Sequence, residues 1–414
     1  MRESDVIVIG AGLAGLIAAA AAAKQGKKVL LLTKGAGTLT IGGGIIDVLG
    51  YLDDGKPVLN PVDGMACLTP DHPYGKIGIE TVVDSINFLL KICENEGYPQ
   101  IGSCRQMQWV PTAAGMLKPT CIVPKTMDVS GLKKTTNRVV VGFKYLKDFY
   151  PQLVAKNLAT MPGFEGNYKV AMVSPPFECG RDIGTLDIAR WLDTEEGLKE
   201  CTRQLQQVVK AGSTLIIPPV LGTNPDYLAL GWLEKNLECH LLETVTVPPS
   251  ITGLRLRTML LNYVKKQGVR IIEQAFVTES VIDKGRCAAV VTEAIDRQRF
   301  YYAKSFIVAT GGIFGGGIIV EPDQVREPIF RLPVKAPLRR EDWANQALLS
   351  NAKQPFAQIG ITVDEKMQPL DVNGNVVLPN VYIAGRTLAG YDAFFEKSGN
   401  GVAVSSGYKA AMSV

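Results

Sequence analysis

Gly10, Gly12 and Gly15 complete a GxGxxG motif directly after the apolar run Val6 to Ile9, and the chemistry that spacing serves is the holding of a diphosphate. The first glycine permits a tight turn, the second lets phosphates approach the backbone, and the third lets a following helix pack closely on the strand. Leu13 and Ala14 open that helix, whose free amides carry about half a positive charge of dipole, suited to an anion. The usual fingerprint then places an acidic residue at the end of the next strand to hold a ribose hydroxyl. Here the strand Lys28 to Thr33 ends in Thr33 and Lys34. A threonine can accept from a hydroxyl; a lysine cannot, though its cation can face a phosphate. A bound dinucleotide is expected, with its phosphates more fully provided for than its adenosine.

Residues for acid–base or metal chemistry are scarce. The chain has 2 histidines, His72 and His240, although histidine is the commonest general base. His72 before Pro73 and the charged neighbours Arg326 and Glu327 are the catalytic candidates. The 8 cysteines, at 67, 93, 104, 121, 179, 201, 239 and 287, include no CxxC pair. Iron–sulfur clusters and structural zinc draw on closely spaced thiolates, so no metal is expected. No compact Arg/Lys/His constellation that would join a base to a cluster of cations is visible.

The elements that must position these residues follow from composition and pattern. With 414 residues, 46% of them hydrophobic, the chain can bury two or three domains. A net charge of +4 is spread along the chain, which argues against a nucleic-acid partner. The longest apolar run, Leu13 to Ala23, falls short of the roughly 20 residues of a membrane span. The first strand begins within five residues of Met1, so no secretory signal precedes it and a cytoplasmic location is expected. An alternating meander runs from Ala275 to Tyr302, with turns at Asp283-Lys284-Gly285 and near Asp296. It feeds the strand that ends Thr310-Gly311-Gly312. Periodicity between these parts predicts helices over Ile79 to Glu96, Tyr145 to Thr160, Thr185 to Val209 in two pieces, and Arg255 to Gln267. It predicts strands over Arg138 to Gly142 and Ser213 to Ile217. The expected fold is α/β: a discontinuous Rossmann-like FAD/NAD(P)-binding domain, 1–62 and 279–414, with a second α/β capping or substrate domain, 63–278, inserted into it.

Three more glycine segments fall in a telling order. Thr40-Ile-Gly42-Gly43-Gly44-Ile-Ile-Asp47 follows the second strand, Tyr382-Ile-Ala-Gly385-Arg386 ends another, and Ser398-Gly399-Asn400-Gly401 opens the last helix. Flavoproteins place the isoalloxazine beside such a helix start, where amides stabilise the anionic reduced ring. Together with Thr310 and Gly311 these residues argue for a flavin rather than a nicotinamide dinucleotide. No histidine lies near Gly42 to Gly44, so the flavin is expected to be held without a covalent link.

The chain resembles the fumarate-reductase-like flavoprotein group, and within it the family of anaerobic glycerol-3-phosphate dehydrogenase B subunits, over nearly its whole length. Beyond the glycine motifs the resemblance rests on His72-Pro73-Tyr74, Ala189 to Asp193 with Glu195-Glu196, Pro248-Pro249-Ser250 with Gly253 and Arg255, Arg326 to Ile329, Gln354-Pro355-Phe356 with Gly360 to Thr362, and Gly390 to Asp392. It implies a flavoprotein that partners a catalytic flavoprotein subunit and an iron–sulfur subunit. Electrons would pass indirectly to membrane quinone, with the chain held peripherally at the membrane through its partners. It also implies FMN, whereas GxGxxG favours FAD; the missing acidic residue at Thr33-Lys34 tips the sequence reading toward FMN. Two other functions stay open: a free-standing flavin-dependent dehydrogenase or reductase of a small acid, and a scaffold without flavin.

Overall fold

The computed structural model describes residues 4–177, 182–294, 297–322, 324–347 and 352–414. Cys179 and the turn expected near Asp296 lie outside them. Strand β1 (Ser4–Ile9), helix α1 (Leu13–Lys24) and strand β2 (Val29–Leu32) form the N-terminal βαβ unit. The alanine-rich sequence of α1 is buried on every side from Leu13 to Ala22, because the helix lies between the sheet and the last helix, Gly399–Met412. Small side chains allow the close approach: a Cβ at Gly407 would sit 2.3 Å from the Ala14 carbonyl oxygen.

The main sheet has seven strands, ordered Arg270–Ile272, β2, β1, Arg297–Val308, Arg286–Ala294 and Val277–Asp283, with Val381–Ile383 also on Arg297–Val308. One long strand serves two partnerships. Its first half, up to Tyr302, pairs antiparallel with the meander, and its second half, from Ala303, runs parallel between β1 and Val381–Ile383. The parallel strands therefore end together, which is where a doubly wound sheet binds ligands.

A second sheet of four parallel strands, His240–Glu243, Thr214–Ile217, Arg138–Phe143 and Tyr168–Val173, carries its own apolar core. Apart from Ile45, that core draws on residues from Val110 to Leu242, a narrower span than the 63–278 expected. Two helices inside the expected insertion pack elsewhere. Ile79–Asn95 lies on the last helix, and Ile251–Lys266 on α1; their apolar faces belong to the first core. The helix expected from Tyr145 begins only at Pro151, where proline's fixed φ suits a first turn. The helix expected from Arg255 begins at Ile251, because Ser250 accepts a capping bond from the Gly253 amide at 3.1 Å.

Candidate functional site

At the carboxyl ends of β1, Arg297–Val308 and Val381–Ile383 lies a cavity of about 540 Å³. Of the expected cofactor residues, Gly12, Leu13, Ala14, Gly42, Gly44, Gly311, Gly385, Arg386, Gly399 and Asn400 border it. The glycines divide by what a side chain would meet. Gly12 faces open space, with nothing within 4 Å of an added Cβ. At Gly10 a Cβ would lie 2.3 Å from the Ala309 carbonyl oxygen, and at Gly15 one would lie 1.8 Å from that of Gly10. These two therefore let backbones pack. Gly43 and Gly401 likewise serve contacts within the protein, against Val245 and the Tyr74 hydroxyl.

The loop Thr38 to Gly44 is clamped from the other side. Thr252 donates its hydroxyl to the Gly43 carbonyl at 2.7 Å, and the Ser250 amide donates to the Thr40 carbonyl at 2.9 Å. Asn400 donates to the Ile45 carbonyl at 2.7 Å, and the Gly401 amide to that of Asp47 at 2.8 Å. The start of the last helix and the glycine loop thus form one continuous wall.

Polar atoms left over at the site are informative. Arg386 Nη1, Asp47 Oδ1 and Thr310 Oγ1 are buried without a hydrogen-bond partner, and Arg386 and Asp47 border the cavity. Such atoms cost about 1–3 kcal/mol each unless a ligand satisfies them. A cation, a carboxylate and two helix N-termini fit a ligand carrying phosphates together with hydrogen-bond donors and acceptors, as a flavin nucleotide does. The Arg386 guanidinium lies 5.1 Å from the ring centres of both Tyr391 and Phe394. Exposed Phe394 and Phe314 meet edge to face at 5.9 Å at the mouth. Asp47 pairs with Lys118 through its other oxygen. Burial and neighbouring Lys118 push the Lys397 ammonium below its ordinary value.

Other expected residues lie elsewhere. Thr33 is buried and turned onto its own loop, donating to the Gly35 carbonyl at 2.6 Å, and Lys34 lies over the Phe276 ring at 4.4 Å. Neither borders the cavity. Arg326 and Glu327 are not a pair: Arg326 binds Glu321 at 3.0 Å, while Glu327 accepts from the Ile329 and Phe330 amides at 3.0 and 2.6 Å. Burial pushes the Glu327 carboxyl up against the pull of those amides. His72 is buried and lies off the cavity lining. Its Nδ1 accepts from the Tyr74 amide at 3.1 Å, so Nε2 carries the hydrogen donated to Glu396 at 3.0 Å. None of the three borders the cavity. The residues the sequence reading passed over are Asp47, Lys118 and the phenylalanines at the mouth. Asp47 closes the glycine loop and is its sole charge, a signal that was available, whereas nothing in the sequence ties it to Lys118. Among the described residues no group of His, Cys, Asp and Glu is arranged to hold a metal.

The fold and cavity define a flavin-dependent oxidoreductase, and residues 5–402 match the FAD binding domain family, to which the chain belongs. Within it the chain belongs to the family of anaerobic glycerol-3-phosphate dehydrogenase B subunits. The B subunit from Vibrio vulnificus (strain CMCP6) is 31% identical over 100% of this chain and 99% of its own. That from Vibrio cholerae serotype O1 (strain ATCC 39315 / El Tor Inaba N16961) is 29% identical over 99% and 96%. A solved 3-ketosteroid delta1-dehydrogenase from Sterolibacterium denitrificans covers 100% of this chain and 99% of its own at 12% identity, with a TM-score of 0.46. Of the two flavins weighed from the sequence, the family's is FAD, which displaces the lean toward FMN. No histidine is among the described residues lining the cavity.

Proposed function

We propose that this chain is the electron-relaying flavoprotein subunit of a glycerol-3-phosphate:quinone oxidoreductase. Its residues would hold a flavin so placed that electrons could pass from a catalytic flavoprotein subunit, which oxidises glycerol 3-phosphate to dihydroxyacetone phosphate, to an iron–sulfur subunit and so to quinone. The observation that carries this is the convergence of the glycine segments on one cavity in a chain that matches the B-subunit family end to end. Gly12, Leu13 and Ala14 would hold the diphosphate, Gly42 and Gly44 would border the ring, and Gly399 and Asn400 would face it with helix amides. When bound, the flavin supplies reversible two-electron chemistry. The chain's own residues would hold and orient it. Among the described residues no helix is long and apolar enough to cross a membrane, so contact with the membrane would come through partners.

Anaerobic stopped-flow mixing tests the reading. Glycerol 3-phosphate is expected to leave the flavin absorbance of the isolated holoprotein unchanged, and adding the catalytic partner is expected to bleach it. A second reading has one observation in its favour: Asp47 and Arg386, a carboxylate and a cation, share the cavity. Rapid bleaching by substrate without a partner would replace the relay by that free-standing dehydrogenase. Heat release and chromatography identify the cofactor. FAD at one per chain is expected, and stoichiometric FMN would restore the reading that the sequence favours.

A further inference from the structure

Asp47 and Lys118 come from different parts of the molecule. Asp47 ends the glycine loop of the flavin cavity, and Lys118 sits on Leu117–Thr120, half of a hairpin with Gln108–Pro111. The approach is built rather than incidental. Ile46 and Ile122 form a bridge, and the Thr120 hydroxyl donates to the Ile46 carbonyl at 3.3 Å, so the strand segment is held alongside the loop. Both side chains are largely covered, with 15% of Asp47 and 25% of Lys118 exposed. Lys118 occupies one carboxylate oxygen, while the other is buried, unpartnered and part of a residue lining the cavity.

An acceptor-only oxygen in that position calls for a donor on the ligand, and a flavin provides donors in its ring N–H and its ribityl hydroxyls. A fixed charge beside a ring that gains negative charge on reduction also biases that reduction. In a partly buried setting, at an effective dielectric near 20, one unit charge about 6 Å away is worth enough to change an equilibrium by about a hundredfold. The cavity wall therefore carries a nearly neutral pair in place of a bare carboxylate.

We propose that the Asp47–Lys118 pair sets the flavin's reduction potential, with Asp47 accepting a hydrogen bond from the flavin and Lys118 cancelling the charge that would otherwise disfavour the reduced ring. Lys118, acting through Asp47, is in this sense a positioning residue, and the control reaches the flavin from a second lobe, built on the four-stranded sheet and its core, against which the Lys118 hairpin packs. The proposal rests on the flavin reading of the cavity. It does not depend on which partner supplies electrons.

The test is anaerobic equilibration of the purified holoprotein with reference dyes, reading the ratio of oxidised to reduced flavin in wild type, Asp47→Asn, Lys118→Met and Lys118→Arg. Asp47→Asn leaves an uncancelled cation and is expected to shift the ratio toward reduced flavin, by about a hundredfold. Lys118→Met leaves the Asp47 anion facing only the Lys397 ammonium and is expected to shift it oppositely and by less, while Lys118→Arg stays near wild type. Opposite signs distinguish charge control from mere support, since a structural role would weaken flavin retention in both variants alike. Equal or same-direction shifts overturn the proposal. If Asp47→Asn retains no flavin, Lys118→Met decides alone: a shift toward oxidised flavin supports the proposal, and none overturns it. A protein that is colourless and takes up neither FAD nor FMN overturns the flavin reading and this proposal with it.

Discussion

At the residue scale the three glycines of GxGxxG have separable jobs, and the separation can be measured. Gly12 has no neighbour within 4 Å of an added Cβ and an ordinary φ of −74°, so Gly12→Val is expected to fold normally and to lose most of its flavin. Bound flavin per folded protein, with circular dichroism as control, checks it; full occupancy would refute the assignment of Gly12 to the phosphates. Gly15→Val instead drives a Cβ into the Gly10 carbonyl and is expected to cost about 3 kcal/mol or more in stability, read as a lowered denaturation midpoint. His72 and its partner Glu396 give a different residue-scale prediction. Burial opposes the Glu396 charge, but the hydrogen bond from His72 and the nearby Lys353 ammonium win and hold its carboxyl at about 2, against 4.5 when free. A depressed carboxyl stabilises the fold fully above its unfolded value and loses that contribution as pH falls toward its folded one. Wild type should accordingly weaken between about pH 4.5 and 2 through this group. Glu396→Gln should flatten that limb of an acid-unfolding profile and lower stability at neutral pH by on the order of 2 kcal/mol. An unchanged limb would remove Glu396 from the account.

At the element scale the legible parts were those whose signal is local. β1, α1 and β2 announce themselves by an apolar run, glycines at fixed spacing and a second apolar run, and the Asp283 to Arg286 turn by a lysine–glycine pair that adopts positive φ at 48° and 75°. Helix starts fared worse where the local residue, rather than the apolar period, decides: Pro151 delays one helix and Ser250 advances another. Which helix faces which core was not legible at all. Ile79–Asn95 and Ile251–Lys266 are amphipathic in sequence, and an apolar stripe says that a helix is covered without saying by what. The covering of α1 can be tested on its partner. Gly407→Ala puts a methyl 2.3 Å from the Ala14 carbonyl oxygen, which must separate the two helices. A loss of about 1–3 kcal/mol is expected in chemical denaturation. Because Ala14 also borders the cavity, flavin should dissociate faster from this variant than from wild type, and equal rates would mean that α1 does not transmit the shift.

At the scale of the whole molecule, two sheets with separate cores are joined through a buried ion pair that also anchors the cavity's clamp. Arg255, in the helix Ile251–Lys266 that packs on α1, meets Glu243, at the end of a strand in the second sheet, through two bonds of 2.7 and 2.9 Å, with both side chains at most 1% exposed. The remaining polar atoms are satisfied as well, since Arg255 Nε donates to the Gly222 carbonyl at 2.8 Å and the Leu221 amide donates to Glu243 at 2.8 Å. Arg255 stood out in the sequence through its family motif, but its partner did not, because twelve residues and a change of lobe separate them. Removing one member of a buried pair strands the other charge and typically costs about 3–5 kcal/mol. Glu243→Gln keeps the size while leaving Arg255 uncompensated, and the loss should be felt first in the second lobe and at the start of Ile251–Lys266. That helix start carries Thr252, which holds the Gly43 carbonyl of the flavin loop. Flavin fluorescence during heating should therefore rise before the main circular-dichroism transition in Glu243→Gln, whereas in wild type the two should coincide. Coincident transitions in the variant would mean that the two lobes and the flavin loop unfold as one unit and that the ion pair is not the joint between them.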